Sequence, residues 1–246
     1  MRRYRLVVFW LVCLFPALLR AETLDWSIYN ALLADHVSTH REAGITLNWV
    51  DYSAMGRDAR YEQLISQVQN FMTSKLASDA ERLGFYINLY NIYAIKMVID
   101  HWPLESIKDA GSFFKSVWKK PVGVLDGRMT TLHEIEHEIL REMNEPRIHM
   151  AIVCASLSCP DLRPQAFTAE NIDAELEQAT QDFLNNPDKG YRMEGDGIVI
   201  SKIFDWFEED FEASEGVTGF LARYVELPSG KPAIRYLDYN WQLNGD

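Results

Sequence analysis

The chain has 246 residues, with 24 Lys and Arg against 36 Asp and Glu, which gives a formal net charge of −12 at pH 7. A protein this acidic repels phosphate backbones and anionic lipid surfaces, so we predict that nucleic acid is not a partner. Hydrophobic residues make up 48% of the chain and aromatic residues 12%, a composition that supports a packed core and excludes a disordered chain.

The first 21 residues have the layout of a secretory signal peptide. Basic residues at positions 2, 3 and 5 precede an apolar run, Leu6 to Leu19, that is short for a bilayer span, and the small Ala21 follows. We predict cleavage after Ala21 and a periplasmic or secreted protein with no stable membrane span. The remaining 20 Lys and Arg and 36 Asp and Glu then give a formal charge of −16. An uncleaved N-terminal anchor is the alternative.

Hydrophobic periodicity predicts one α+β domain over residues 22–246, helix-rich and with a small sheet. Asp126-Gly127 indicates a hairpin-like turn, and Thr131 with Glu134 forms a capping box that begins a helix. Helices are predicted over residues 24–40, 60–76, 79–101, 131 to about 143, 168 to about 185, 203–211 and 217–225, and strands over 45–52, 148–153, 197–201 and 234–243.

The segment Cys154-Ala155-Ser156-Leu157-Ser158-Cys159-Pro160 is the leading candidate for a functional centre. It follows a predicted buried strand, where a rigid scaffold commonly presents reactive groups. Because proline favours the first position of a helix, Cys159 would lie at a helix start, where the helix dipole lowers a thiol pKa. Ser156, Ser158 and the loop amides could donate to an oxyanion. The alternatives are a Cys154–Cys159 disulfide that closes the loop, or thiols that are merely buried.

A cysteine nucleophile usually needs a base within hydrogen-bond reach. His137, on the preceding predicted helix between Glu136 and Glu138, is the candidate base, oriented by a carboxylate. The alternative is a structural or solvent-side histidine. His149 lies on the same predicted strand as Cys154, about 16 Å away and facing the other side, so it is a poor direct partner and is assigned to binding.

His133-Glu134-Ile135-Glu136-His137 matches the pattern of two helical histidines found in zinc proteases. The capping box, however, places His133 in the first turn, and no convincing third ligand follows at a known spacing. We therefore assign no metal and no cofactor.

Two further features have both a structural and a functional interpretation. Asn88 and Asn91 share a face of the most apolar helix, where buried amides either brace a loop, which we favour, or line a pocket. In the predicted helix 203–211, the apolar and aromatic residues form the packing face and the acids point outward, although this helix could still wall a pocket.

Five motifs stand out along the chain: Phe85 to Asn91, Ile135-Glu136-His137 with Ile139-Leu140-Arg141, Arg147-Ile148-His149 leading into Cys154 to Pro160, Ser201 to Trp206, and Tyr239-Asn240-Trp241 with Leu243-Asn244. In these motifs the chain resembles the family called domain of unknown function 547. The family has no established activity to carry over. The resemblance implies that Asn88, Asn91, Glu136, His137, His149, Cys154, Ser156, Cys159 and Pro160 belong to family motifs.

The sequence departs from the family pattern at two places. His133 stands where an acidic residue is usual. The family commonly has asparagine before the first cysteine and glycine after it, whereas the first cysteine here, Cys154, is followed by Ala155. The family also occurs in larger plant proteins with a leucine zipper or a glutaredoxin-like domain, which implies intracellular settings. A purely structural disulfide fits poorly there, so the resemblance favours reactive or ligand-contacting thiols.

These observations lead to one main hypothesis and its rivals. The main hypothesis is a periplasmic thiol-dependent hydrolase or acyltransferase that acts on a small molecule or peptide. Its catalytic residues are Cys154 or Cys159, His137 and Glu136, and its binding residues are Asn88, Asn91, His149, Ser156 and Ser158. The alternative is a non-catalytic cell-envelope binding or assembly module with a disulfide-stapled loop. Two less favoured alternatives are a thiol redox protein and a zinc-dependent hydrolase.

Overall fold

The computed structural model describes residues 24–112, 115–230 and 232–246. The predicted signal peptide lies outside the described residues. The α+β prediction is confirmed, with 49% helix and 17% strand in small sheets. Among the helices described, none is both long and apolar enough to cross a membrane.

The helices and strands follow one another in a largely local order. They are α1 (Ser27–His36), β1 (Val37–Glu42), β2 (Ile45–Val50), α2 (Tyr52–Arg57), α3 (Ala59–Asn70), α4 (Asp79–Asp100), β3 (Pro121–Leu125), β4 (Arg128–Thr131), a π-helix (Glu134–Leu140), α5 (Ile172–Leu184), β5 (Tyr191–Glu194), β6 (Gly197–Ile200), α6 (Ile203–Trp206), α7 (Gly216–Leu221) and β7 (Ile234–Tyr236). Short 3₁₀ helices lie at Thr73–Lys75, Ile107–Ala110, Val117–Lys119, Arg141–Met143, Pro146–Met150 and Glu208–Ser214.

Helix α4 is the centre of the main hydrophobic core. Ser78 and Glu81 close a capping box at its start, as the sequence Ser-x-x-Glu allows, and nearly every residue from Gly84 to Val98 is buried. Gly84 lies against the backbone of Phe167, whose carbonyl oxygen would be 3.0 Å from an added Cβ. The helix can therefore approach the segment that follows the two cysteines.

The strands form three small sheets. β1 pairs with β2 and β3 with β4, both antiparallel, and the second pair turns at Asp126 and Gly127 as predicted. The third sheet has the order β5-β6-β7, with β6 and β7 parallel. Behind it lies a second hydrophobic cluster, formed with α6 and α7.

Several predicted elements differ in the structure. Residues 37–42 form β1 rather than the end of a helix, because they pair with β2 from Val37↔Val50 to Glu42↔Ile45. The predicted strand 148–153 is wrong: the segment is buried, but it continues a 3₁₀ helix and then becomes irregular. No helix begins at Pro160, since α5 starts only at Ile172. The predicted last strand is limited to Ile234–Tyr236.

Candidate functional site

A cavity of about 330 Å³ lies where the two hydrophobic clusters meet. Its walls come from α4, the π-helix, the segment around the two cysteines, α6 and the C-terminal segment. The lining residues are Tyr90, Trp118, Glu136, His137, His149, Ile152, Cys154, Cys159, Pro160, Ile203, Trp206, Phe207, Tyr239 and Trp241.

Cys154 and Cys159 form a disulfide on the wall of this cavity, with their sulfurs 2.09 Å apart. The disulfide closes the loop between them, in which Ala155 adopts a left-handed backbone with φ of 56°. The backbone N–H of Cys154 also donates to Cys159 Sγ at 2.9 Å. Of the alternatives considered for this loop, the structure contains the disulfide, and in this state neither sulfur is a free thiol.

The C-terminal segment packs directly on the disulfide loop. The hydroxyl of Tyr239 lies 3.2 Å from Cys154 Sγ and 3.3 Å from Cys159 Sγ, and Ser156 Oγ donates to it at 3.3 Å. Ser158 Oγ accepts the backbone N–H of Asn240 at 2.9 Å. Ser156 and Ser158 are both buried and outside the cavity lining, so they hold the segment in place rather than face a ligand as predicted.

Glu136 and His137 lie on the π-helix Glu134–Leu140. The predicted capping box precedes it, because Thr131 Oγ1 accepts the N–H of Glu134 and Glu134 Oε2 accepts the N–H of Thr131, both at 3.0 Å. π-Helical turns are rare and frequent at functional sites, since the wider turn redirects side chains that an α-helix would place elsewhere. Here the turn presents two neighbouring residues to one cavity.

Glu136 is the acidic group of the cavity. Tyr90 Oη donates to its Oε2 at 3.1 Å. Burial raises the pKa of Glu136 to about 7, although the Tyr90 hydrogen bond and the positive charge of Arg141 act in the opposite direction. The carboxyl group therefore changes charge near neutral pH.

A chain of polar side chains runs from His137 to His149 through Arg141 and Asp210. Arg141 donates to both carboxylate oxygens of Asp210 at 2.7 Å and to His137 Nδ1 at 3.0 Å. His149 Nε2 lies 2.6 Å from Asp210 Oδ2. Burial alone would raise the pKa of Asp210, but the hydrogen bonds from His149 and Arg141 outweigh it and lower this pKa. Asp210 therefore remains a carboxylate.

This chain fixes the tautomer of His137. A guanidinium can only donate, so the His137 Nδ1 that faces Arg141 must be the acceptor. Burial, together with the neighbouring His133 and Arg141, lowers the pKa of His137 to about 4, so the ring is neutral at pH 7 and carries its proton on Nε2. His137 is therefore a hydrogen-bond donor to the cavity, which argues against the predicted role of general base.

His149 lines the same cavity as the two cysteines, although the predicted strand placed it on the opposite face from Cys154. It is 2% exposed, stacks on Phe207 with ring centres 4.2 Å apart, and lines the same cavity as Cys154. The estimate of opposite faces was wrong because the segment is not extended. Burial lowers the pKa of His149 despite the hydrogen bond with Asp210.

Asn88 and Asn91 brace the backbone, as the favoured interpretation predicted. The amide of Asn88 donates to the carbonyl of Phe167 at 2.7 Å and accepts its N–H at 2.9 Å. The amide of Asn91 donates to the carbonyl of Ala151 at 3.0 Å and accepts the N–H of Val153 at 2.8 Å. Neither amide lines the cavity, so both act by holding the segments that flank the disulfide.

Aromatic residues form one side of the cavity. They include Trp206 and Phe207, which confirms the alternative that residues 203–211 wall a pocket. Trp206 is 44% exposed and stacks on Trp241 at 5.7 Å, and Tyr239 contacts both rings at 4.7 and 4.5 Å. Within residues 203–211, the aromatic residues were predicted to pack inward and the acids to point outward. This is wrong for Trp206, which is exposed, and for Asp210, which turns inward. The cause is that α6 ends at Trp206, so helical spacing does not extend to Asp210.

The zinc-protease pattern does not form a ligand cluster. The rings of His133 and His137 are 4.5 Å apart, but His137 Nδ1 faces a guanidinium. Within the described ranges, no group of three or more His, Cys, Asp and Glu side chains is arranged to hold a metal ion.

Comparison with known proteins identifies one family. The family model described as "Protein of unknown function, DUF547" matches residues 73–184. No curated protein and no solved structure gives a significant match. The matched segment contains the two asparagines, Glu136, His137, His149 and the disulfide, whereas the motifs after residue 184 lie outside it. This chain therefore carries a DUF547 segment, the family that its sequence motifs resemble.

Proposed function

We propose that the protein binds a small molecule or a peptide side chain that joins a flat apolar part to a cationic hydrogen-bond donor, such as an amidinium or guanidinium. The observation that supports this most strongly is the state of Glu136. Its carboxyl group lines an aromatic cavity, accepts one hydrogen bond, from Tyr90, and forms no ion pair with any described residue. A carboxylate accepts up to about four hydrogen bonds, so a donor on the ligand would complete its coordination.

The aromatic side of the cavity supports the apolar part of this ligand. Trp206, which is 44% exposed and stacks on Trp241, offers a flat surface, and the negative face of an indole ring attracts cations. The Trp241 ring already has the Lys108 ammonium over it, with Nζ 3.5 Å from the ring centre. The acidic net charge of the chain also attracts cations over a longer range. His137 Nε2–H supplies a donor for a neutral acceptor elsewhere on the ligand.

We propose that binding takes place outside the cytoplasm, in the periplasm or after secretion. The signal-like layout of residues 1–21 supports this location. The disulfide supports it too, because oxidising compartments preserve such bonds. Detection of the processed chain in a periplasmic fraction, beginning at Glu22, would test the location.

Binding can be tested with para-aminobenzamidine, a flat cation whose fluorescence rises in apolar surroundings. We expect saturable binding that strengthens as pH rises through about 7, because the Glu136 carboxyl group ionises there. Glu136→Gln should weaken it by about tenfold or more, since a charged hydrogen bond is lost. Glu138→Gln is the matched control, because Glu138 is an exposed carboxylate on the same π-helix.

Two outcomes would contradict the proposed ligand class. One is equal binding of benzoate, which has a similar flat ring and the opposite charge. The other is equal loss of binding in Glu136→Gln and Glu138→Gln, which would mean that Glu136 is not the recognition group.

A thiol-dependent hydrolase or acyltransferase is the second candidate, restricted to the reduced protein. It is supported by the position of Cys154, which is partly exposed and lines the same cavity as Glu136. Because Nδ1 of His137 accepts from Arg141, Glu136 is the better base. Reduced protein should then show a burst of nitrophenol from para-nitrophenyl acetate that disappears in Cys154→Ala. No burst above that of Cys154→Ala would refute this candidate.

A further inference from the structure

We propose that the Cys154–Cys159 disulfide exchanges with a small thiol that enters the cavity, with Cys154 as the attacked sulfur and Cys159 as the leaving sulfur. This activity goes beyond the proposed binding function and does not depend on a cationic ligand. It rests on three features of the described structure: access to the disulfide, the unequal exposure of its two cysteine residues, and the donors around Cys159.

Access comes from the cavity itself. Both cysteines line it, and Pro160 beside them does too, so a molecule in the cavity contacts the disulfide directly. Cys154 is partly exposed, whereas Cys159 is 1% exposed. An attacking thiolate approaches along the line of the two sulfurs, and the exposed sulfur is the one it can reach. Cys154 is therefore the site of attack.

Two donors contact the leaving sulfur, and only this sulfur receives a backbone N–H; Cys154 Sγ contacts two hydroxyls, Tyr239 Oη at 3.2 Å and Ser156 Oγ at 3.4 Å. The backbone N–H of Cys154 donates to Cys159 Sγ at 2.9 Å, and the Tyr239 hydroxyl lies 3.3 Å from it. A disulfide sulfur has no hydrogen to donate, so the tyrosine hydroxyl is the donor in its sulfur contacts. Hydrogen bonds to a charged sulfur are stronger than to a neutral one, so both donors favour the thiolate that forms at Cys159.

The surroundings of Tyr239 keep its hydroxyl group a hydrogen-bond donor. Ser156 Oγ donates to its oxygen at 3.3 Å, which directs the tyrosine hydrogen away from the serine. Burial raises the pKa of Tyr239 above its ordinary value, so its hydroxyl is protonated at neutral pH. A phenol held against both sulfurs therefore stabilises the leaving thiolate without being consumed.

The reaction balances with two thiols. The first thiolate forms a bond to Cys154 Sγ while the Cys154–Cys159 bond breaks, and the electron pair leaves on Cys159. A second thiolate attacks the sulfur of the bound thiol, forms the small-molecule disulfide and releases Cys154 as a thiolate. The two thiol protons end on the two cysteines. Two thiols are oxidised by two electrons and the protein disulfide is reduced; the reverse reaction reoxidises the protein with a small disulfide.

The first test measures the reduction rate of the wild-type disulfide by dithiothreitol at neutral pH. Samples are quenched with iodoacetamide and the number of added groups is read from the intact mass. The same protein unfolded in urea gives the rate of an unprotected disulfide. We expect the native rate to equal or exceed the unfolded rate. A native rate about tenfold or more below the unfolded rate would overturn the proposal, because a protected disulfide reacts mainly after opening.

Two pairs of variants test the assigned roles. Tyr239→Phe should slow reduction by about tenfold through loss of the hydroxyl donor, whereas Tyr236→Phe, an exposed tyrosine on β7, should not. Cys159→Ser should form a mixed disulfide with Ellman's reagent about tenfold faster than Cys154→Ser. Equal rates within either pair would overturn the assignment. Exchange is read from protein mass and amidine binding from fluorescence, so either activity can fail without the other.

Discussion

Removal of the Asp210 carboxylate should destabilise the protein more than any exposed acid does. In the folded chain, Asp210 accepts two hydrogen bonds from Arg141 at 2.7 Å, and His149 Nε2 lies 2.6 Å from it. Asp210→Ala leaves the cation of Arg141 without its ion-pair partner and leaves the His149 ring, which is 2% exposed, without its acceptor. The variant therefore removes one carboxylate and leaves two side chains, Arg141 and His149, without a hydrogen-bond partner at that position.

The size of the loss follows from the exposure of the partners. Breaking a fully buried ion pair by removing one member costs about 3–5 kcal/mol. The side chains of Asp210 and Arg141 are 17% and 23% exposed, so solvent compensates part of this. The unpaired histidine adds about 1–3 kcal/mol. We expect the free energy of unfolding to fall by about 3 kcal/mol at pH 7.

The loss should also depend on pH in a defined direction. The pKa of Asp210 is lowered in the folded state, so its contribution is complete above the unfolded pKa of about 3.9 and is lost as pH falls through the folded value. The difference between wild type and Asp210→Ala should therefore shrink below about pH 4.

Urea unfolding followed by tryptophan fluorescence, without reductant, measures these free energies. Glu208→Ala is the matched control, because Glu208 is exposed in the same 3₁₀ helix, and it should change the free energy of unfolding by less than about 0.5 kcal/mol. A loss below about 1 kcal/mol for Asp210→Ala, or a difference that persists unchanged to about pH 3, would refute this account of the ion pair.

Three further perturbations test other parts of the structure. Asn91→Ala should lower the free energy of unfolding by about 3 kcal/mol, because two buried backbone groups lose their partners, whereas the exposed Asn70→Ala should cost less than about 0.5 kcal/mol; urea unfolding would show whether the two differ. Gly123→Ala should lower the melting temperature, since its Cβ would lie 2.3 Å from the buried ring of Tyr93, with a loss of about 1–3 kcal/mol; an unchanged melting temperature would contradict the close approach. The wild type should lose stability as pH rises from about 4.5 to 7, because the Glu136 carboxyl group stays protonated in the folded protein but ionises in the unfolded chain. Glu136→Gln should remove this loss. Parallel profiles of unfolding free energy against pH for variant and wild type would exclude the raised pKa.

The sequence predicted best the parts of the fold whose ends are marked by local capping, turn or helix-stop residues. The predicted helix 79–101 ends within one residue of α4, because Trp102-Pro103 stops it, and the structure shows that Ser78 and Glu81 cap its start. The β3–β4 turn was marked by Asp126-Gly127. In each case a few neighbouring residues determine the backbone.

The errors lie where distant contacts decide the backbone. The β-branched run before Cys154 was read as a strand, yet its polar groups pair with Asn91, about 60 residues earlier, instead of with a neighbouring strand. Likewise, no local pattern reveals that Asp210 turns inward to Arg141, because that ion pair joins segments 69 positions apart. The sequence singled out Glu136, His137 and both cysteines by residue type and left open that residues 203–211 wall a pocket, but it gave Tyr239 and Trp241 no place in the cavity.

The aromatic wall of the cavity comes partly from outside the matched family segment. The DUF547 match contains the acid, the histidines and the disulfide, whereas Trp206, Tyr239 and Trp241 lie beyond residue 184. A substitution at any of these three rings therefore alters one side of the cavity and leaves every residue of the matched segment in place.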